Sequence, residues 1–183
     1  MTGLLEIRRT MLYDIIDSVW NDYAMKRECQ RMIALACDHT GVALKQELMK
    51  MLDEMGLEWK DFGNYDANNR DDDYPVYGYK AAKAIAAGEC DRGILICGTG
   101  IGIGIAAGKV KGIRVCTCSD VYSAELSKRH NNSNVLTMGA RVVGTELAKM
   151  IARHWLTAEF EGGRHQRRID MIARIENGEA PEA

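Results

Sequence analysis

Four glycines stand at alternate positions in Gly98-Thr99-Gly100-Ile101-Gly102-Ile103-Gly104. Glycines there let backbone approach a ligand closely, and the free N–H groups at a helix N-terminus stabilise negative charge. Cys97 immediately precedes this run. A thiol in that position is suited to act as a thiolate base or nucleophile, although a single cysteine is more often an inert packing residue. Asp38-His39 follows another apolar run, and an acid–imidazole pair at a strand end suits proton transfer. His130 precedes Asn131 and Asn132, and His165 sits inside Gly163-Arg164-His165-Gln166-Arg167-Arg168. Arg164 and Arg168 are four apart, so they share a helix face, and two guanidinium forks on one face suit a phosphate dianion. His154 falls inside a helical pattern and reads as structural.

These residues need a frame that brings them to strand ends. Residues 32–37 and 92–97 are short apolar runs, as expected for buried parallel strands, with further strands expected over 57–62, 113–118 and 134–138. Helical stripes fill 40–55, 74–87, 101–109, 121–129, 144–158 and 164–176, and a polar loop covers 63–73. Strands alternating with helices give an α/β fold with a parallel sheet and helices on both faces, whose ligands bind beyond the carboxyl ends of the strands. Asp38-His39, the glycine run and Ser119-Asp120 are the loops placed there. Ahead of this, residues 1–31 carry Leu4, Leu5, Ile7, Met11, Ile15, Ile16, Val19 and Trp20 at helical spacing. They read as an N-terminal packing or oligomerisation helix, or as an extension before a domain that starts at Met32.

Composition narrows the partners. The 183 residues are 46% hydrophobic and 27% charged, with a net charge of -2, which is ordinary for a globular domain and gives no basic field for nucleic acid or a membrane surface. No apolar run approaches the ~20 residues of a membrane span. Charges interrupt the first 29 residues, so no secretory signal is expected there. The six cysteines (Cys29, Cys37, Cys90, Cys97, Cys116, Cys118) contain no C-x-x-C pair, which argues against a zinc ribbon or a thioredoxin-like motif and for a reduced, cytoplasmic protein. A dinucleotide fingerprint is the competing reading of the glycines. Ser119 and Asp120 lie about 20 residues on, as that fingerprint asks, but a G-x-G-x-x-G frame from Gly98 puts Ile103 at the third glycine.

Cys37-Asp38-His39, Asp73-Tyr74-Pro75, Ile96-Cys97-Gly98-Thr99-Gly100-Ile101-Gly102, His130-Asn131, Asn134-Val135-Leu136 and Glu161-Gly162-Gly163-Arg164-His165 occur in this order. Together they resemble the ribose-5-phosphate isomerase B / galactose-6-phosphate isomerase family, of the type with a cysteine base. The resemblance covers residues 32–176. It implies a Rossmann-like three-layer α/β/α sandwich around a five-stranded parallel sheet, with 177–183 as a tail. It implies interconversion of an aldose and a ketose phosphate without metal or organic cofactor, most readily ribose 5-phosphate and ribulose 5-phosphate. It further implies a homodimer or homotetramer with active sites between subunits. On this resemblance Cys97 would move the proton between C1 and C2, and the backbone of Gly98, Gly100, Ile101 and Gly102 would hold the enediolate oxygen. Thr99, Asp38 and His130 would assist ring opening and proton movement between oxygens. Asn131 and Tyr74 would contact the sugar, and His39, Arg141, Arg164 and Arg168 the phosphate. Gly104 and Gly108 stand where many members have Ser and Asn, and the loop 64–73 is longer and more acidic. A tetrulose, allose or galactose phosphate is therefore an alternative substrate, and a non-catalytic paralogue or a nucleotide-binding module is an alternative of another class.

Overall fold

The structure, a computed structural model, describes residues 32–181; the helix expected over 1–31 lies outside the described residues. Strands β1 (Ile33–Cys37), β2 (Trp59–Asp61), β3 (Arg92–Cys97), β4 (Val115–Thr117) and β5 (Val135–Gly139) alternate with helices α1 (Val42–Glu54), α2 (Tyr74–Ala86), α3 (Ile101–Ala107), α4 (Val121–Asn131), α5 (Thr145–Thr157) and α6 (Arg164–Glu176). The strands form one sheet in the order β2-β1-β3-β5-β4, and every pairing is parallel. The expected three-layer fold is present. β2 and β4, the two sheet edges, are shorter than their apolar runs suggested, because an outer strand has a neighbour on one side only.

Side-chain alternation along the strands builds the layers. Ile33, Leu35, Ile94, Ile96, Leu136 and Met138 face α1, α4 and α5, meeting Leu48, Met51, Ala124, Ile151 and Trp155. Ala34, Ala36, Leu95 and Cys97 face α2 and α3, meeting Ala81, Ala82, Ile103 and Ala107. The second layer is built from small residues, so its helices sit close to the sheet and to each other. β1 and β3 are adjacent while their connections leave in opposite directions, which opens a crevice at their carboxyl ends.

Local chemistry sets the element ends. Asp38 caps a single 3-10 turn, His39–Gly41, by accepting the Thr40 backbone N–H at 2.9 Å, and this turn leads into α1. Pro75 occupies the first turn of α2, where its missing N–H costs nothing. Asp120 caps α4 by accepting Ser123 N–H at 2.7 Å. At the other end of α4 the chain turns through Asn132 at φ +45°. Arg114 Nε donates to the carbonyls of Asn131 and Asn132 at 3.2 and 3.0 Å, and Trp155 Nε1 donates to Ser133 Oγ at 2.7 Å. The corner that carries His130 and Asn131 is therefore tied to β4 and α5. The first tail residues fold back, with Glu179 N–H donating to the Arg174 carbonyl at 2.9 Å.

Leu48 is fully buried between α1 and the sheet. Leu48→Ala is expected to lower unfolding stability by about 2–5 kcal/mol, read as a lower urea midpoint. An unchanged midpoint would mean that α1 does not pack as described.

Candidate active site

The expected site residues gather in two groups. At the carboxyl edge of the sheet, Asp38 and His39 leave β1, Cys97 and the glycine run leave β3, and Arg141 follows β5. Register ties these ends together, with Cys37 beside Ile96 and Cys97 beside Gly139. Cys97 is 4% exposed, and the Gly100 backbone N–H donates to its sulfur at 3.1 Å. Gly100 has φ +78°, and an added Cβ would lie 2.7 Å from the Met138 carbonyl carbon. Only glycine meets both the left-handed backbone and the close approach. Gly102 lies under the Tyr74 ring, whose Cζ is 2.6 Å from where a Cβ would be. Tyr74 thus covers the first turn of α3. Thr99 Oγ1 accepts the Ile101 N–H at 3.4 Å. The Arg141 backbone donates to the Gly98 carbonyl at 3.1 Å, and its side chain lies within 4 Å of a Cβ at Gly98. Asp38 is buried, and its Oδ1 accepts from Thr40 Oγ1 at 2.5 Å.

Sequence reasoning missed Asp72. Its carboxylate, 1% exposed at the side chain, meets His39 Nδ1 at 2.5 Å through Oδ1. Its Oδ2 accepts the His39 backbone N–H at 2.7 Å and Asn64 Nδ2 at 2.6 Å. Burial alone would raise this carboxyl, but the bonds from Asn64 and His39 outweigh it and hold Asp72 below the ordinary carboxylate range. The signal available was the acidity of the 63–73 loop, which shows no partner until the fold closes it over β1.

The second group sits at the opposite edge. His130 and Asn131 end α4 just before β5 begins, and β5 alone spans ~13 Å from Val135 to Gly139. Arg164 and Arg168 open α6 beside them. Glu161 N–H donates to the Arg129 carbonyl at 3.0 Å, and the Glu161 carboxylate takes Arg129 Nη2 at 2.6 Å and Nε at 2.8 Å. Glu161 Oε2 lies 3.7 Å from His130 Nε2 and 3.6 Å from His165 Nε2. The His130 and His165 rings stack with centroids 4.2 Å apart and planes 4° from parallel. Burial, with His130 and Arg164 nearby, lowers the His165 imidazole below its ordinary value. The sequence assigns His165 and Glu161 no role, and the structure makes them the surroundings of His130.

His130, Glu161 and His165 have the composition of a metal site, but their arrangement opposes one. Parallel stacked rings direct their nitrogen lone pairs side by side rather than toward one point. Arg129 already takes one carboxylate oxygen, Oε1, and Arg164 Nε points at His165 Nε2 from 3.4 Å. The surroundings favour an anion over a cation.

The other thiols are poor rivals to Cys97. Burial pushes Cys37 up to about 12 and Cys90 up to about 11. Cys118 beside it and the Ser127 hydroxyl at 3.1 Å draw the Cys116 thiol below its ordinary value, but this pair belongs to the β4 edge, with β5 between it and β3. Ser119-Asp120 also lies on that edge. It does not converge with Asp38-His39 and the glycine run, and Asp120 is spent as the α4 cap.

The profile of the Ribose/Galactose Isomerase family matches residues 33–172. The chain belongs to that family. It is 53% identical to ribose-5-phosphate isomerase B of Escherichia coli (strain K12) over 146 residues, covering 80% of this chain and 97% of that protein. It is 44% identical to D-erythrulose-4-phosphate isomerase of Pectobacterium atrosepticum over 147 residues, covering 80% and 96%. A solved ribose-5-phosphate isomerase B from Clostridium thermocellum superposes with a TM-score of 0.78 at 48% identity, covering 80% of this chain and 98% of that one. The Mycoplasma genitalium enzyme with bound ribulose-5-phosphate superposes at 0.74 with 42% identity, covering 80% and 96%. The nucleotide-module reading yields to this Ribose/Galactose Isomerase membership, and its third fingerprint position, Ile103, is a fully buried packing residue.

Asp72 gives the carboxyl edge a pH signature. A carboxyl lowered by folding contributes stability that is full above its unfolded value, near 4, and is lost as pH falls through the lower folded value. Urea midpoints measured from pH 6 downward should fall on this account, and Asp72→Asn should flatten that acid limb while lowering the midpoint at pH 6. An equally steep acid limb in the variant would remove Asp72 as its source.

Proposed function

We propose that this chain is an aldose–ketose isomerase of phosphorylated sugars, acting on ribose 5-phosphate and ribulose 5-phosphate with Cys97 as the base. The observation that carries it is Cys97 at the end of β3, with the Gly100 amide on its sulfur and the glycine backbone running on from it. In the open-chain aldose the thiolate takes the C2 proton, and the electron pair moves onto O1 as the enediolate forms. Within residues 98–102 the Gly100 N–H lies on the Cys97 sulfur and the Ile101 N–H on Thr99 Oγ1. The remaining N–H groups of the run would face that oxygen, and losing one such donor typically costs about 3 kcal/mol of transition-state stabilisation. The O2 proton then passes to O1 while the sulfur returns its proton to C1, which gives the ketose and regenerates the thiolate. Asp38, Thr99 and His130 would open the ring and move protons between oxygens. Tyr74 and Asn131 would contact the sugar. His39, Arg141, Arg164 and Arg168 would hold the phosphate, whose binding energy orients the reacting carbons. These roles use no metal or organic cofactor.

One chain holds the two groups at opposite edges, so the complete site in this proposal joins the carboxyl edge of one copy to the amino edge of another, in a homodimer or a pair of dimers. Tyr74, Val76, Tyr79, Ile101 and Ile105 are exposed on α2 and α3 beside the glycine run, and they are the apolar surface that such pairing would cover. The reduced cytoplasm suits a protein whose base is a free thiol. No helix among the described residues is long and apolar enough to cross a membrane. A four-carbon substrate is the second reading, favoured by the 44% identity to the D-erythrulose-4-phosphate isomerase.

A panel of four-, five- and six-carbon sugar phosphates tests both readings. Ribose 5-phosphate should give the highest kcat/KM, and Cys97→Ala should lower it by about 10²–10⁴. No turnover on any member would end the enzyme reading. Full activity in Cys97→Ala would end the role of the thiol.

A further inference from the structure

The His39 ring is held by a carboxylate from a distant loop. Asp72 lies 33 positions along the chain, at the end of the 63–73 segment, yet its two oxygens take the His39 ring nitrogen, the His39 backbone N–H and the Asn64 side chain. Asn64 is itself buried and anchored. Its carbonyl accepts Lys45 Nζ at 2.9 Å, and Lys45, 2% exposed, pairs with Asp61 at 2.7 Å. Its Oδ1 accepts the Asp66 N–H at 2.7 Å. The chain of contacts therefore runs from α1, through Lys45 and the end of β2, into the loop and out to the imidazole.

We propose that Asp72 is a positioning residue that locks the His39 imidazole with Nδ1 turned inward, so that Nε2 is presented to the phosphoryl group of the substrate. This rests on the sugar-phosphate reading above. A bond from a carboxylate to one ring nitrogen selects the tautomer and fixes the ring plane, which decides what the other nitrogen can do. His39 remains partly open, with 25% of its side chain exposed against 1% for Asp72. The pair therefore has a buried, fixed end and an accessible end. Asp38, next in the chain, points back to Thr40 and leaves the His39 ring to Asp72. The loop thereby acquires a task. It carries the carboxylate that aims His39 and then, two residues on, starts α2 with Tyr74, which covers the glycine run.

The role predicts a particular kinetic pattern. Phosphate contacts act on the ground and transition states alike, so loss of aim should raise KM more than it lowers kcat. In Asp72→Asn, KM for ribose 5-phosphate should rise about 10–100-fold, with kcat changed by only a few-fold. His39→Gln should do the same, and the double variant should be no worse than either single one, as expected for two groups acting as a unit. A merely structural loss would lower the active fraction and so kcat, leaving KM in place. ¹⁵N NMR of the imidazoles gives a readout free of turnover: His39 should carry its proton on Nδ1 in the unaltered chain and lose that preference in Asp72→Asn. Affinity for inorganic phosphate should weaken in parallel. If the unaltered chain turns over no sugar phosphate, the proposed function fails, while the tautomer and the phosphate affinity still decide the role of Asp72. An unchanged KM together with an unchanged phosphate affinity in Asp72→Asn would overturn it, as would a His39 ring protonated on Nε2.

Discussion

Strand direction is the constraint on which everything else depends. The five described strands run the same way, so each ends at one edge and the helix that follows it returns the chain to the other. Asp38, His39, Cys97 and Arg141 follow strands and therefore share the carboxyl edge. His130 and Asn131 end a helix, so they are delivered to the opposite edge. No rotamer change bridges the length of β5. The two groups belong to one reaction only if a second copy brings them together, and this gives the proposed pairing its physical reason.

Close approach is the second constraint. The glycine run lies against the backbone of β5, and the tightest contact falls at Gly100, whose N–H also reaches the Cys97 sulfur. The same compactness extends through the small-residue layer, where Ala34, Ala36, Ala81 and Ala82 bring α2 against the sheet. α2 in turn carries Tyr74 to its place over Gly102. Packing in that layer and geometry at the thiol are thus one requirement, met by small residues at successive positions.

The fold was legible because each element carries its own signal. Apolar runs marked the strands and spaced apolar residues the helices. Errors fell at strand ends near the sheet edges, where hydrogen-bond partners rather than hydrophobicity decide the boundary. Cys97 and the glycine run were legible as chemistry because strand, thiol and helix start are contiguous. Asp72 was not, since an acidic loop residue reads as solvated until the fold buries it against a ring 33 positions away. Glu161 and His165 were hidden for a similar reason, because their stacking and ion pairing depend on α6 lying beside α4. The convergence expected of Ser119-Asp120 failed because sequence order does not reveal strand order: β4 is the fourth strand in the chain but lies at one edge of the sheet, beyond β5.

The proposed division of one site between two copies is tested by mixing two inactive variants. Cys97→Ala disables the carboxyl edge and His130→Ala the amino edge. In a mixed dimer, one of the two shared sites would inherit both defects and the other neither. Unfolding and refolding an equal mixture should therefore restore about a quarter of the unaltered activity from two nearly inactive proteins. A mixture that stays as inactive as its components, while mixed dimers demonstrably form, would contradict the account, because it would mean that Cys97 and His130 of the same chain serve the same site.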